Sequence, residues 1–177
     1  MEGARASSEG TGVMQRGFAF SEEFNCSHKD VVFTPLEVAR AMVRHFPLSG
    51  KVLDPCRGDG AFWNLIDGAD YCEIQEGKDF FEYQAEVDWI IGNPPYSVYS
   101  EWLRHSMSIS ENIVYLIPIN KAFNSSSMLK FTYDWGGIAE IAHVGPGSSL
   151  NFPVGFAIGA VHYKRNYAGG IIYRHNF

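Results

Sequence analysis

The sequence predicts an α/β fold, an open and mostly parallel sheet with helices on both faces and an antiparallel hairpin at its C-terminal end. Three observations carry that prediction. Helical periodicity and short β-branched runs alternate from Val31 onward. A Gly-x-Gly loop, Gly58-Asp59-Gly60, leaves a short apolar run that ends on Asp54, and an acid, Glu73, follows nineteen positions after Asp54. That is close to the interval of about twenty residues at which α/β nucleotide folds place a carboxylate against ribose hydroxyls. The third observation is the run Val87–Gly92, which has the length and composition of a buried strand and opens directly onto Asn93-Pro94-Pro95-Tyr96.

Residues 1–29 are Gly/Ser-rich, weakly apolar and aperiodic, which predicts a disordered tail ahead of a single domain over 30–177. A helix is expected over 35–46, with Thr34 as N-cap, Pro35 at the first helical position, and Val38, Ala39, Met42, Val43 and Phe46 on one face. Lys51-Val52-Leu53-Asp54 reads as a strand, and the loop through Gly58 and Gly60 enters a helix over about 60–66. Strands over 70–74 and 87–92, a helix over 98–109 and a strand over 112–118 come next. A helix near 126–135 and a strand over 138–144 continue the alternation. The last two apolar runs, around 155–163 and 169–175, are separated by Lys164-Arg165-Asn166-Tyr167-Ala168 and read as the closing hairpin. Ligands of open sheets sit at the carboxyl ends of strands, where Asp54, Glu73 and Asn93 all fall.

A chain of 177 residues that is 46% hydrophobic and 15% aromatic can bury one good core. No apolar stretch reaches the roughly eighteen residues of a bilayer span, and no basic-then-apolar leader opens the chain. A soluble, intracellular, cytoplasmic protein without a membrane partner is therefore expected. Cys26, Cys56 and Cys72 lack Cys-x-x-Cys spacing and are expected to be free thiols; the six histidines form no His-x-x-x-His pair, and no metal is expected. Fourteen Lys and Arg against twenty Asp and Glu leave a net charge of −6, which disfavours a polyanionic partner at long range. Arg104, His105, Lys121, Lys130, Lys164 and Arg165 could form a local basic face, and solvated side chains account for them equally well.

The corner after Gly92 has a chemical reading of its own. Two consecutive prolines hold φ near −65° and lack N–H groups, and Pro94 keeps Asn93 out of the helical region. The Asn93 side-chain oxygen and the Pro94 carbonyl are then a pair of fixed acceptors, suited to an –NH2 group. Tyr96 offers a flat face on which a planar heterocycle can stack. Asp54, at the end of its strand, can hold a cationic amino group.

Taken together, these motifs resemble the S-adenosylmethionine-dependent amino-methyltransferases, and most of all the DNA N6-adenine methyltransferases, over roughly residues 29–165. Phe33-Thr34-Pro35 and the helix after it resemble motif X of that family, whose helix start touches the methionine end of the cofactor; helix initiation alone would select the same Thr-Pro pair. Asp54-Pro55-Cys56-Arg57-Gly58-Asp59-Gly60-Ala61-Phe62 resembles motif I, with Arg57 where the family has a small or apolar residue. Glu73 falls on motif II, Gly77-Lys78-Asp79-Phe80-Phe81 on motif III, and Asn93-Pro94-Pro95-Tyr96 on motif IV, the amine-methylating signature. The order X, I, IV is that of the gamma group.

The resemblance implies a Rossmann-like class I methyltransferase fold with S-adenosylmethionine as cofactor. It implies cofactor contacts from Phe33, Thr34, Pro35, Asp54, Pro55, Gly58, Gly60, Glu73, Asp79, Phe80 and Asn93. Asp79 would meet the cofactor's adenine amino group and Phe80 its ring. Catalysis is implied for Asn93, Pro94, Pro95 and Tyr96, with Tyr96, Phe152 and Lys121 at the substrate. A core position accounts for Phe152 equally well. The expected reaction is methyl transfer to adenine N6 in a flipped-out DNA base. RNA amines or a protein glutamine amide are the alternative acceptors, and a non-catalytic subunit retaining the fold is a third reading. Too few residues follow motif IV for a separate target-recognition domain. Recognition is then left to loops 119–130 and 145–153, to a protein partner or second copy, or to a short, relaxed site. In a bacterial or phage setting the protein would associate with the nucleoid.

Overall fold

A computed structural model of the chain describes residues 32–150, 152 and 155–175. The tail expected over 1–29, and with it Cys26, lies outside the described residues. Three α-helices, α1 (Leu36–His45), α2 (Tyr99–Ile109) and α3 (Ser126–Trp135), accompany seven strands. These are β1 (Val52–Asp54), β2 (Asp70–Tyr71), β3 (Val87–Gly92), β4 (Ser110–Pro118), β5 (Gly136–Pro146), β6 (Ala157–Arg165) and β7 (Ile172–His175). They form one sheet in the order β2-β1-β3-β4-β6-β5-β7. Strands β2, β1, β3 and β4 pair in parallel, β6 runs antiparallel to both β4 and β5, and β7 is parallel to β5.

The antiparallel hairpin is present, but its arms are β5 and β6 rather than the last two apolar runs. Both sides of β6 are occupied, by β4 and β5, so β7 cannot pair with it and joins instead at the outer edge of β5. Arg174 of β7 donates from Nε to Glu140 of β5 at 2.9 Å, fastening that edge.

Three further expectations are corrected. The segment after the glycine loop is turns and a short 3-10 helix, Trp63–Leu65, not an α-helix over 60–66. Gly60 holds φ +88 and Gly68 φ +75, and the stretch between them is too short for ladder bonds to propagate once both ends are left-handed. Strand β2 is only two residues long, because Glu73 turns to cap a 3-10 helix, Ile74–Glu76, by accepting from the Gln75 N–H at 3.1 Å. At the start of α1, Pro35 rather than Thr34 is the N-cap. Its carbonyl accepts from Val38 and Ala39 at 2.9 and 3.1 Å, and no side chain caps the helix because a proline ring has no acceptor.

Strand alternation divides the core into two layers. Ile113, Tyr115 and Ile117 of β4 point to the face covered by α2 and α3, where Tyr99, Trp102, Leu103, Met107 and Met128 pack. Val114 and Leu116 point to the face covered by α1, which buries Val38, Ala39, Met42 and Phe46. Val43 lies at the margin of that second layer. Each fully buried side chain of this size contributes about 1.5–3 kcal/mol of apolar transfer, enough to hold both layers on a rigid sheet.

Candidate active site

The strand order reverses at β1, because the chain leaves it outward for β2 and then returns to its other side as β3. A crevice therefore opens above the carboxyl ends of β1 and β3, the place where open α/β sheets bind ligands. Asp54 and Gly92 stand at those two ends. They are so close that a Cβ on Gly92 would lie 3.0 Å from Pro55 Cδ and 3.3 Å from Asp54 Oδ1.

On the β1 side, Gly58 and Gly60 have φ +54 and +88, a region only glycine enters freely. Asp54 is 1% exposed. Its two oxygens accept from the Cys56 and Trp63 N–H groups, both at 3.2 Å. Burial outweighs those bonds, and Glu73 adds a like charge, so the Asp54 carboxyl is pushed up to about 7. Glu73 accepts from the Gly58 N–H at 2.8 Å on Oε2 and from Gln75 on Oε1, which joins the acid to the glycine loop. Arg57 points away from the crevice. Its guanidinium lies 4.6 Å from the Tyr71 ring centre and pairs with Glu76, while Tyr71 donates to the same carboxylate at 3.0 Å. The unusual arginine thus clamps the loop to β2.

On the β3 side, the double-proline corner is tied down in three directions. The Cys56 thiol donates to the Asn93 backbone carbonyl at 3.1 Å, joining the glycine loop to the corner. Burial pushes that thiol well above its usual range. Asn93 Nδ2 donates to the Val32 carbonyl at 3.0 Å, bringing in the segment that carries Phe33, Thr34 and Pro35. Lys121 Nζ donates to the Tyr96 carbonyl at 3.1 Å. Nothing in the sequence signalled the Cys56, Val32 or Lys121 contacts, because each joins residues far apart in the chain.

Most residues singled out from the sequence converge here, and some take other positions. Phe33 is 59% exposed, with its ring 3.9 Å from where a Gly58 Cβ would sit. Pro55 and Pro94 are buried and Pro95 half-buried. Asp79 accepts from the Phe81 N–H at 2.9 Å as cap of a 3-10 helix. Phe80 is 2% exposed, 4.6 Å from Trp102 and 4.7 Å from His105 between ring centres, a buried position in the core. Phe152 is likewise a core residue, 5% exposed in the layer under α1, where an apolar ring gains more from burial than from solvent. Lys121 braces the corner instead of reaching outward. Tyr96 is half-buried, its ring against both core layers and its hydroxyl donating to Asn93 Oδ1 at 3.0 Å. Cys56 and Cys72 are free thiols. Among the described residues, no three His, Cys, Asp or Glu side chains group as metal ligands, and no helix is long and apolar enough to cross a membrane.

No protein-family description and no characterised protein matches the sequence. The fold does match solved structures. One is a protein of Listeria monocytogenes assigned as a class I S-adenosylmethionine-dependent methyltransferase, with TM-score 0.58 and 13% identity over 81% of this chain and 65% of that one. A type I restriction-modification methyltransferase subunit from Streptococcus thermophilus matches with TM-score 0.59 and 13% identity, over 81% of this chain and 47% of that one. The 23S rRNA methyltransferase ErmE matches with TM-score 0.57 and 13% identity, over 76% of this chain and 70% of that one. This chain therefore has the Rossmann-like class I methyltransferase fold. It spans less than two thirds of the length of the Listeria and Streptococcus proteins.

Proposed function

We propose that the protein transfers a methyl group from S-adenosylmethionine to an exocyclic amine, and that the amine is adenine N6 in DNA. The observation that carries this reading is the 3.1 Å contact from the Cys56 thiol to the Asn93 carbonyl. It joins the Gly58–Gly60 loop to the Asn93-Pro94-Pro95-Tyr96 corner, which supports reading the two as a nucleoside site beside an amine site.

The residues present fit the cofactor. Each Glu73 oxygen accepts one backbone N–H and keeps a lone pair for a ribose hydroxyl. Gly58 is exposed and bare of side chain, with the Phe33 ring alongside to cover a ligand. Asp54 is a buried carboxyl whose burial outweighs the help of its two N–H bonds and of Arg57, and the cofactor's ammonium group would add a further cation. Asp79 provides an acceptor for an adenine amino group. The bound cofactor supplies an already activated sulfonium methyl.

The protein's share of the chemistry is alignment and electrostatics. Asn93 Oδ1 and the Pro94 carbonyl accept the N–H bonds of the incoming amine, favouring a tetrahedral nitrogen and the positive charge that develops on it. The backbone ties from Cys56 and Lys121 keep those oxygens from drifting, and alignment of this kind contributes about 7–11 kcal/mol in good intramolecular cases. A base is taken out of the duplex because N6 cannot be reached within the stack. Recognition comes from the loops around 119–130 and 145–153 or from a partner protein.

The test is transfer of labelled methyl to unmodified DNA, RNA and protein extracts, followed by mass spectrometry of the DNA. N6-methyladenine made by the wild type, with kcat lower by at least about 100-fold in Asn93→Ala, is expected. Label entering only RNA or protein transfers the function to that substrate. Full activity in the variant removes the role given to Asn93.

A further inference from the structure

The Tyr96 hydroxyl occupies the oxygen that the proposed substrate amine needs. It donates to Asn93 Oδ1 at 3.0 Å and lies 3.5 Å from the Leu116 carbonyl. The ring attached to it is not displayed at the mouth of the crevice. It is half-buried and packs against the cores on both sides of the sheet. Stacking on a substrate ring therefore requires Tyr96 to leave the place it holds here. Its backbone is held while it does so, since Lys121 grips the Tyr96 carbonyl at 3.1 Å and Pro95 restricts the preceding residue. The other end of the asparagine amide is engaged as well, Nδ2 donating to Val32 at 3.0 Å, so the amide cannot flip to release its oxygen.

We infer that Tyr96 is an internal cap on the amine acceptor: its phenol stands in for the substrate N–H, holds Asn93 Oδ1 in its reactive orientation, and swings out by side-chain rotation when the substrate enters. The inference rests on the amine-methylation reading above and adds a residue-level determinant of substrate affinity to it. Three features of the geometry support a cap over a permanent structural bond. The donor is a neutral O–H to a carboxamide oxygen, the same kind of bond an aromatic amine would make there, so the exchange replaces like with like. Ser97, next in the chain, is exposed, and the 3-10 turn Tyr96–Val98 has no side-chain cap to tie it down. The anchors on this corner, from Cys56, Val32 and Lys121, all grip main chain or the far side of the amide and none holds the Tyr96 side chain, so a change of χ1 to another staggered position gives up ring packing and the Asn93 bond but none of these anchors. Lys121 then acts as a positioning residue, fixing the pivot.

The consequence is that binding must first break the Tyr96–Asn93 bond. Removing the hydroxyl while keeping the ring lifts that cost and preserves stacking. Tyr96→Phe should bind substrate about two- to tenfold more tightly than wild type, the equilibrium equivalent of one ordinary hydrogen bond. Affinity is read by fluorescence anisotropy with a single-stranded, adenine-containing oligonucleotide in the presence of S-adenosylhomocysteine, so that no turnover intervenes. Lys121→Met, which leaves the cap but loosens its pivot, should lower kcat with little change in this affinity.

A second measurement needs no substrate. In a denaturation cycle of wild type, Tyr96→Phe, Asn93→Ala and the double variant, the unfolding constant of the double variant should fall below the product of the two single effects by about two- to tenfold. Independent effects in that cycle, or equal or weaker oligonucleotide binding by Tyr96→Phe, overturn the cap. Failure of the wild type to bind any adenine-containing oligonucleotide, with coupling present in the cycle, overturns instead the choice of substrate on which the inference rests.

Discussion

Asp54→Asn tests the electrostatics of the crevice. Asp54 is 1% exposed, and its carboxylate is held by two N–H contacts of 3.2 Å each, with the Arg57 charge a smaller aid. Its carboxyl rises from the ordinary 3.8 to about 7, mainly through burial. At about 1.4 kcal/mol per tenfold, a rise from 3.8 to about 7 corresponds to about 4 kcal/mol. In the unfolded chain the group ionises near 3.8, and in the folded chain it keeps its proton until about 7. The folded state therefore binds the extra proton, and the contribution is fully present below about pH 4 and lost as pH rises through 7. Of the total, about 2–3 kcal/mol falls between pH 5 and 8. Asparagine has no proton to release, so the wild type should lose about 2–3 kcal/mol more than Asp54→Asn over that interval. Urea denaturation of both proteins without cofactor at the two pH values measures the difference, and S-adenosylmethionine should shrink it by supplying a cation. Parallel losses in the two proteins would refute the burial argument.

Two other perturbations read different parts of the fold. Gly92→Ala places a Cβ 3.0 Å from Pro55 Cδ and 3.3 Å from Asp54 Oδ1, forcing β1 and β3 apart at the crevice. A loss of about 1–3 kcal/mol by thermal denaturation, with weaker S-adenosylhomocysteine binding in calorimetry, is expected, and an unchanged Tm counts against it. His162 is stacked on Trp89 and 9% exposed, and burial, aided by Lys164, lowers it from 6.5 to about 4. Its neutral ring contributes stability above pH 6.5 that is lost as pH falls toward 4, about 3 kcal/mol in all. His162→Phe should flatten that acid limb in urea titrations between pH 7 and 4.5, and an unaltered limb assigns the acid loss to other groups.

Local chemistry made much of this protein legible before its structure. The run Val87–Gly92 and the helix Ser126–Trp135 lie where periodicity places them, because one is a short β-branched stretch stopped by prolines and the other an N-capped amphipathic turn sequence. The Ser125 hydroxyl accepts from Met128 at the start of that helix, as its position implies. Left-handed glycines in the motif I loop and a carboxylate nineteen residues after Asp54 were equally readable, since backbone freedom and spacing are properties of the chain itself. The helix expected over 60–66 failed between left-handed Gly60 and Gly68.

The amino-acid order alone determined the sheet-and-helix alternation and the position of the glycine loop and the double-proline corner, because each depends on residues within a few positions of one another. Only the tertiary structure decided that β7 lies beside β5, that Phe80 and Phe152 are core, that Arg57 clamps Tyr71, and that Tyr96 rests on Asn93. The physical reason is that an aromatic or a long cation is equally at home in a core, on a ring or on a ligand. Which it takes is settled by the partners that distant strands bring within reach.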